Sequence, residues 1–314
     1  MALGIWAGLG GGAWAHSSAG FERAARGRLH DPERNLCVNV LVTFPKMCHK
    51  SDWALKPLRI WSSSMSSRKK RDIRMPAPYL RRIWLEPSRV ADRKAYPFCL
   101  PFLGDDFELS FDAPITIIVG ENGTGKSTLL EGIAVLAGYD EAGGGKDHRP
   151  VDHSNALEVM GGELSTALRA SWLPRITKGW FFRAETFFSV ARYLDEVGSG
   201  PDFLSHSHGE GFLRFFEERC QRQGIYIFDE PESALSPARQ MEFLKLMQRM
   251  EQSTICQIIM ATHSPMLMAY PAARLLRLSK YGLEPVTVEE TDHYKVLREF
   301  CHDPRGFVEA AIAE

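Results

Sequence analysis

Past residue 75 the chain alternates short apolar runs with longer amphipathic stretches. "FELSF" (107–111) alternates apolar and polar side chains, the pattern of a strand with one face on a core. "ITIIVG" (115–120), "GIYIFDEP" (224–231) and "TICQIIMATHSP" (254–265) each contain a continuous apolar or β-branched run, as strands covered on both faces require. "KSTLLEGIAVLAG" repeats its apolar residues at helical spacing until Gly138 ends it, and "SPARQMEFLKLMQRMEQ" reads as a second helix. "GFLRFFEERCQRQ" gathers Phe212, Leu213, Phe215 and Phe216 on one face before its charged residues, which predicts a third. "ARLLRLS" (273–279) and "EPVTVE" (284–289) read as terminal strands. Residues 139–162 read as a Gly/Asp/His-rich surface loop, and about 163–223 as a small, mixed helical subdomain. Strands alternating with helices predict an α/β fold with a mostly parallel central sheet and helices on both faces.

Residues 1–75 break this rhythm. They are Gly- and Ser-rich ("GLGGGAWAHSSAG", "WSSSMSSRKKRD") and show no sustained helical or strand period. Their charge differs too: 13 Lys/Arg against 5 Asp/Glu, whereas residues 76–314 hold 25 against 34. A basic arm on an acidic body fits nucleic acid or an anionic surface. The plainer reading takes 1–75 as a disordered or non-native extension of a domain at 76–314, with Met65 and Met75 as alternative starts. "AWA" at 13–15 resembles a signal-peptidase site, but no basic residue precedes it and glycines break the apolar run, which argues against a secretion signal.

The overall composition is that of an ordinary soluble protein, with 44% hydrophobic and 25% charged residues. No run approaches the roughly 20 apolar residues that cross a bilayer, so no membrane insertion is expected. Six scattered cysteines without a C-x-x-C pair suit reduced, mostly buried thiols. No repeat is present, and no heptad run is long enough for a coiled-coil arm.

Chemistry concentrates at three strand ends. "GENGTGKST" satisfies G-x-x-x-x-G-K-[ST] through Gly120, Gly125, Lys126 and Ser127, with Glu121, Asn122, Gly123, Thr124 and Thr128 completing the loop. A buried-type strand precedes it and an amphipathic helix follows, the context this motif requires. Its glycines let successive N–H groups face phosphate oxygens, Lys126 reaches the β- and γ-phosphates, and the Ser127 hydroxyl ligates Mg²⁺. In "YIFDEPESALS" an apolar strand delivers Asp229 to its carboxyl end, where ligands bind in open α/β sheets. Asp229 is placed to hold Mg²⁺, and Glu230 to polarise an attacking water. In "IIMATHSP" His263 ends another such strand, where a neutral imidazole can meet the γ-phosphate or that water.

Together "GENGTGKST", "YIFDEPESALS" and "ATHSP" resemble the Walker A, Walker B with D-loop, and H-loop of ABC-type ATPases. More narrowly, "YPFCLPFL", "GWFFRAETFF", "SHGEGF", "DEPESALSPARQ", "ATHSPMLMAYP" and "EETDHY" resemble small stand-alone ATPases, often labelled "AAA family ATPase", related to the SMC, RecF and double-strand-break-repair ATPases. The resemblance spans about residues 79–308. It implies an ABC-type head with an antiparallel β edge and a helical subdomain.

It also implies a signature loop opening the helix before Walker B. Glu210 lies 19 residues before Asp229, which casts Ser207, His208, Gly209 and Glu210 as that signature, acting on ATP held by another subunit. His208 stands where glycine is usual. One copy of each motif then implies an ATP-dependent head-to-tail homodimer. Ser233, Ala234, Leu235 and Ser236 fall on the D-loop. No obvious Q-loop glutamine appears; Arg183 or Glu185 serves instead, or the region holds a partly buried ion pair that stabilises the helical subdomain. Tyr96 and Phe98 are candidates for the adenine platform. The pair His206 and His208 suits a metal only in an extended segment, and no nearby cysteine completes a set.

The expectation is a cytoplasmic, Mg-dependent ATP hydrolase whose dimer closes on ATP and reopens on hydrolysis. DNA maintenance or defence is the output that kinship raises, although no basic patch is evident in the folded part. An ATP-dependent binding module and a transporter's ATPase subunit are the alternatives. N-K-x-D is missing, which sets aside a GTPase.

Overall fold

The computed structural model describes residues 25–31, 36–42, 74–146, 161–184 and 208–313; for the first two stretches and 208–210 it describes the backbone alone. Residues 1–69 and 70–314 form separate compact units. In the first, β1 (Ala25–Asp31) pairs antiparallel with β2 (Leu36–Val42), from Ala25 opposite Val42 to Asp31 opposite Leu36. The sequence pattern shows no strand period here. "LCVNVLV" is nearly continuous rather than alternating, so it carries no period-2 signal for the pattern to display.

The second unit opens with β3 (Leu80–Leu85) and β4 (Glu108–Ser110), then β5 (Ile115–Val119) and α1 (Lys126–Ala137). There follow α2 (Gly161–Ala167), β6 (Leu168–Trp172), β7 (Gly179–Arg183) and α3 (His208–Arg219). Next come β8 (Gly224–Asp229), α4 (Pro237–Gln252), β9 (Cys256–Ala261) and α5 (Pro265–Met268). The chain continues through β10 (Arg274–Ser279), β11 (Gly282–Pro285), α6 (Asp292–His302) and α7 (Pro304–Ala313). The central sheet runs β11-β10-β5-β9-β8-β7, parallel throughout except for the antiparallel edge strand β11. A second, antiparallel sheet runs β4-β3-β6. This is the α/β architecture expected, antiparallel edge included.

Two segments depart from the expected pattern. Within 163–223, read as helical, residues 168–172 and 179–183 are strands, and β7 extends the central sheet beside β8. Each is only five residues long, too short for period 2 to stand out from a helical stripe. "EPVTVE" is a strand only through Pro285; Val288–Glu290 forms a 3₁₀ turn held by a capping box between Thr287 and Glu290. The thiols also differ, since Cys99 and Cys301 are exposed while Cys220 and Cys256 are buried.

Alternation along each central strand feeds two cores. Ile117, Val119, Phe228 and Met260 face α3 and α4, against Phe212, Phe216, Phe243 and Met247. Phe228 stacks on Phe182 at 4.8 Å, with Phe216 edge-on to both. Ile118, Ile227, Ile259 and Ala261 face the other way, onto α1 (Leu129, Leu130, Ile133) and the antiparallel sheet (Leu80, Ile83). Gln257 joins the two sheets from near the start of β9. Its wholly buried amide accepts from the N–H groups of Tyr79 (2.8 Å) and Leu80 (2.9 Å) and donates to the Leu80 carbonyl (3.0 Å).

Candidate active site

β5, β8 and β9 lie side by side and end together, so the loops that follow them share one edge of the sheet. The loop after β5 curls through Gly123 and Gly125, at φ 76° and 92°, where side-chain-bearing residues are rare. Gly125 is doubly constrained: a Cβ there would stand 2.8 Å from the Phe102 ring and 2.9 Å from Leu100. Lys126, the first residue of α1, is 5% exposed and donates to the carbonyls of Gly120 and Glu121, both at 2.9 Å. Burial pulls its ammonium below the usual range, and Glu230, Asp229 and Glu121 pull it back up.

Ser127 Oγ donates to Asp229 Oδ1 at 3.1 Å. Asp229 is 5% exposed, and burial pushes its carboxyl up to about 7; the Arg183 guanidinium opposes that rise and Glu230 adds to it. Glu230 follows in the left-handed region (φ 48°, ψ 53°), a strained backbone for a residue with a side chain. That kink turns its carboxylate towards His263, whose Nε2 lies 3.4 Å from Glu230 Oε1. Burial and Lys126 hold the His263 ring below the usual imidazole range, which favours the neutral form at pH 7. Its backbone N–H donates to the Glu232 carboxylate, which fastens the end of β9 to the turn after β8.

The structure thus gathers Lys126, Ser127, Asp229, Glu230 and His263 into one cluster. Thr128, also buried, has its hydroxyl against the hydroxyl of Tyr96. Glu121, Asn122 and Gly123 are exposed, and the Thr124 hydroxyl donates to the Glu121 carbonyl. Ser233 and Ser236 are exposed, Ala234 half-buried and Leu235 buried; Ser233 Oγ donates back to the Glu230 carbonyl at 2.8 Å. Gln240 then ties the Leu235 carbonyl to the Ser264 hydroxyl.

Arg183 is placed at the site's edge, its Nη1 2.7 Å from Glu131 Oε1 and its Nε 3.6 Å from Asp229 Oδ2. Arg183 is thus ion-paired, but its described partners lie on α1 and at the end of β8 rather than in the helical region. Glu185, Ser207 and His206 lie outside the described residues. His208, Gly209 and Glu210 form the first turn of α3. Of the two adenine candidates, Phe98 is buried in the core, while Tyr96 is 43% exposed beside the loop. Among the described residues no group of three His, Cys, Asp or Glu side chains is arranged to hold a metal by itself. His293 escaped the sequence reading; it meets His263 from α6 at 2.7 Å. Its only signal there was a place in "EETDHY", a match without a role.

The opposite end of the same strands is different in kind. Two clefts, of about 510 and 730 Å³, share Thr177, Lys178, Gln221 and Arg222. Arg74, Arg175, Lys146 and Arg219 complete a basic lining in which, among the described residues, Glu218 is the only acid. All of these cations but Arg219 are exposed. A basic patch in the folded part was not expected, because its members are spread over 149 positions of sequence and meet only in the fold.

Comparison with known proteins agrees with this geometry. A family model described as "AAA domain" matches residues 98–167, and another, "AAA domain, putative AbiEii toxin, Type IV TA system", matches 147–269. The chain is 27% identical over 191 residues to the thiamine import ATP-binding protein ThiQ of Photobacterium profundum, covering 51% of this chain and 74% of that one. It is 29% identical over 205 residues to the zinc import ATP-binding protein ZnuC of Cereibacter sphaeroides (61% and 79%). A shorter match, 34% over 86 residues, is to an OLD nuclease of Thermus scotoductus, covering 26% of this chain and 16% of that protein. Fold, loop and matches together define a P-loop ATPase of the ABC type. The chain binds and hydrolyses ATP, and its matches are to AAA-domain models and to ABC-type ATP-binding proteins.

Proposed function

We propose that this site hydrolyses ATP with Ser127 and Asp229 holding Mg²⁺, Glu230 accepting the proton of the attacking water, and His263 donating to the γ-phosphate. The 3.1 Å contact of Ser127 Oγ with Asp229 Oδ1 carries this reading, since it joins the phosphate loop to the acidic strand end across 102 positions of sequence. Two hard oxygen donors beside an anion-binding loop fit Mg²⁺, which keeps several waters and takes few protein ligands. A bound Mg²⁺ would offset charge on the β- and γ-phosphates. Lys126 holds two of its three N–H donors on loop carbonyls, so the incoming phosphate takes them over without a change of rotamer elsewhere. The water oxygen bonds to the γ-phosphorus as the bond to the β–γ bridging oxygen breaks. The water's proton passes to Glu230 and then to solvent.

The ATPase domain is proposed at 76–314, with 1–75 as an extension; a division into compact units at 69/70 supports a boundary close to that point. One copy of each motif supports a head-to-tail homodimer in which Ser207 to Glu210 of one subunit close on the other's phosphate. Free thiols at Cys99, Cys220, Cys256 and Cys301 suit the cytoplasm. No helix among the described residues is long and apolar enough to cross a membrane. The names of the import proteins raise a transport output. The basic groove favours a nucleic-acid output, because a concave, cationic lining tracks a phosphate backbone.

Glu230→Gln tests the core of this proposal. Binding of ATP is retained, turnover falls by roughly 10²- to 10⁴-fold, and gel filtration with MgATP shows dimer. Full turnover by this variant removes Glu230 as the base, and a monomer under those conditions removes the dimer.

A further inference from the structure

His263 is held from two sides. Its Nδ1 lies 2.7 Å from Nε2 of His293 on α6, with ring centroids 4.9 Å apart. Its Nε2 is buried, has no hydrogen-bond partner among the described residues, and faces Glu230 Oε1 at 3.4 Å. Between two neutral imidazoles one nitrogen donates and the other accepts. A carboxylate only accepts, so the nitrogen that faces Glu230 carries the hydrogen of the His263 ring. Nδ1 is then a lone-pair acceptor, and His293 supplies the N–H.

We propose that His293 is a positioning residue for ATP hydrolysis. By donating from Nε2 to Nδ1 of His263, it holds that ring as the Nε2–H tautomer, with its one remaining donor aimed at the γ-phosphate. The proposal rests on the reading of His263 as the phosphate-facing donor. Among the described residues the titratable groups around His263 are Lys126 from α1, Glu121 from the phosphate loop, Glu230 and Glu232 after β8, and His293 from α6. Among the described residues none of the others donates an N–H to Nδ1, so without His293 only the 3.4 Å approach of Glu230 biases the tautomer and a mixture becomes accessible. The ring orientation then loosens as well. The same contact makes α6 part of the nucleotide site: Asp292, Val296 and Phe300 line a cleft of about 520 Å³ with Glu121 and His263.

The test uses the full chain with ¹⁵N-labelled histidines. Long-range nitrogen–proton spectra should show His263 as the Nε2–H tautomer in the parent protein and as a mixture in His293→Ala. In steady-state ATP hydrolysis, His293→Ala should lower kcat roughly tenfold with KM within about twofold, as expected when a reacting group is misaligned rather than removed. The acidic limb of its pH–rate profile should shift. His293→Gln, whose amide can donate to Nδ1, should recover most of the rate. His263→Ala separates the two levels: if it hydrolyses ATP normally, the reading of His263 fails. If His263→Ala loses rate but His293→Ala keeps both rate and tautomer, the role given to His293 is overturned. It is equally overturned by a loss of rate with the tautomer unchanged. Should His293→Ala not fold, His293→Leu, which fills similar space but offers no N–H, decides on the same terms.

Discussion

The two ends of the central sheet carry their charge in opposite ways. At the carboxyl ends of β5, β8 and β9, charge is buried: Lys126 and Asp229 are each 5% exposed, and their ordinary ionisation is displaced by desolvation. At the amino ends of β7 and β8, five exposed cations line an open groove. A buried constellation costs stability and returns geometry, because each charge acts at low dielectric and cannot wander. An exposed groove costs little and returns reach, because solvated cations neutralise phosphates wherever these fall. The first end has the geometry of chemistry, and the second has the exposed charge that the proposed nucleic-acid output would use.

Substitutions that exchange the properties of the two ends give the largest effects. Lys126→Ala should weaken ATP by at least about a hundredfold, the equivalent of roughly 3 kcal/mol for one desolvated ionic hydrogen bond, read by fluorescent-nucleotide titration. At the groove, Lys178→Glu with Arg222→Glu should leave basal hydrolysis within about twofold. The same pair should abolish any stimulation by single-stranded DNA and flatten the salt dependence of its binding. Equal DNA binding by the double variant and the parent would break the division between the ends.

A pH series sharpens it further. Asp229 has a folded pKa raised to about 7, so the native state holds a proton that the unfolded chain has released above about 4. Its contribution to the stability of the nucleotide-free protein is therefore largest at low pH and is lost as pH rises to about 7. Glu232 is raised by burial and acts in the same direction, whereas His263 is lowered and opposes them as pH falls below about 6.5. Thermal melts of Asp229→Asn in EDTA should show a flatter decline in Tm between pH 5 and pH 7.5 than the parent. The smallest effect expected is at Glu230: Glu230→Gly, inactive, should gain about 1 kcal/mol by relieving the left-handed backbone, measured by denaturant unfolding.

What the sequence shows of this molecule follows how local each feature's physics is. The phosphate loop is contiguous, and its glycines and lysine are needed at fixed offsets, so "GENGTGKST" is readable as it stands. Asp229, Glu230 and His263 are readable because an apolar strand that ends in a charge is itself unusual. Arg183 shows the limit. Its partners Glu131 and Asp229 lie 52 and 46 positions away, and no spacing rule links them. β6 and β7 escape the sequence because "LRASW" and "GWFFR" show neither strict alternation nor the β-branched run that marks β5, so their state rests on pairing partners. The basic groove and the 2.7 Å approach of His293 to His263 arise only when distant segments meet.

Gln257 gives the fold an alignment mark. Its single amide satisfies two N–H groups and one carbonyl of the segment that enters β3, all in a place where water does not reach. Sliding the antiparallel sheet one residue along β9 would strand those groups, at about 1–3 kcal/mol for each buried polar group left unpaired. Small slips are therefore penalised far more steeply than the apolar contacts around them could enforce, since one aliphatic side chain fits nearly as well beside its neighbour's position. The two sheets are indexed to each other by chemistry rather than by shape, and Phe102, which packs on Gly125 from the antiparallel side, inherits that index.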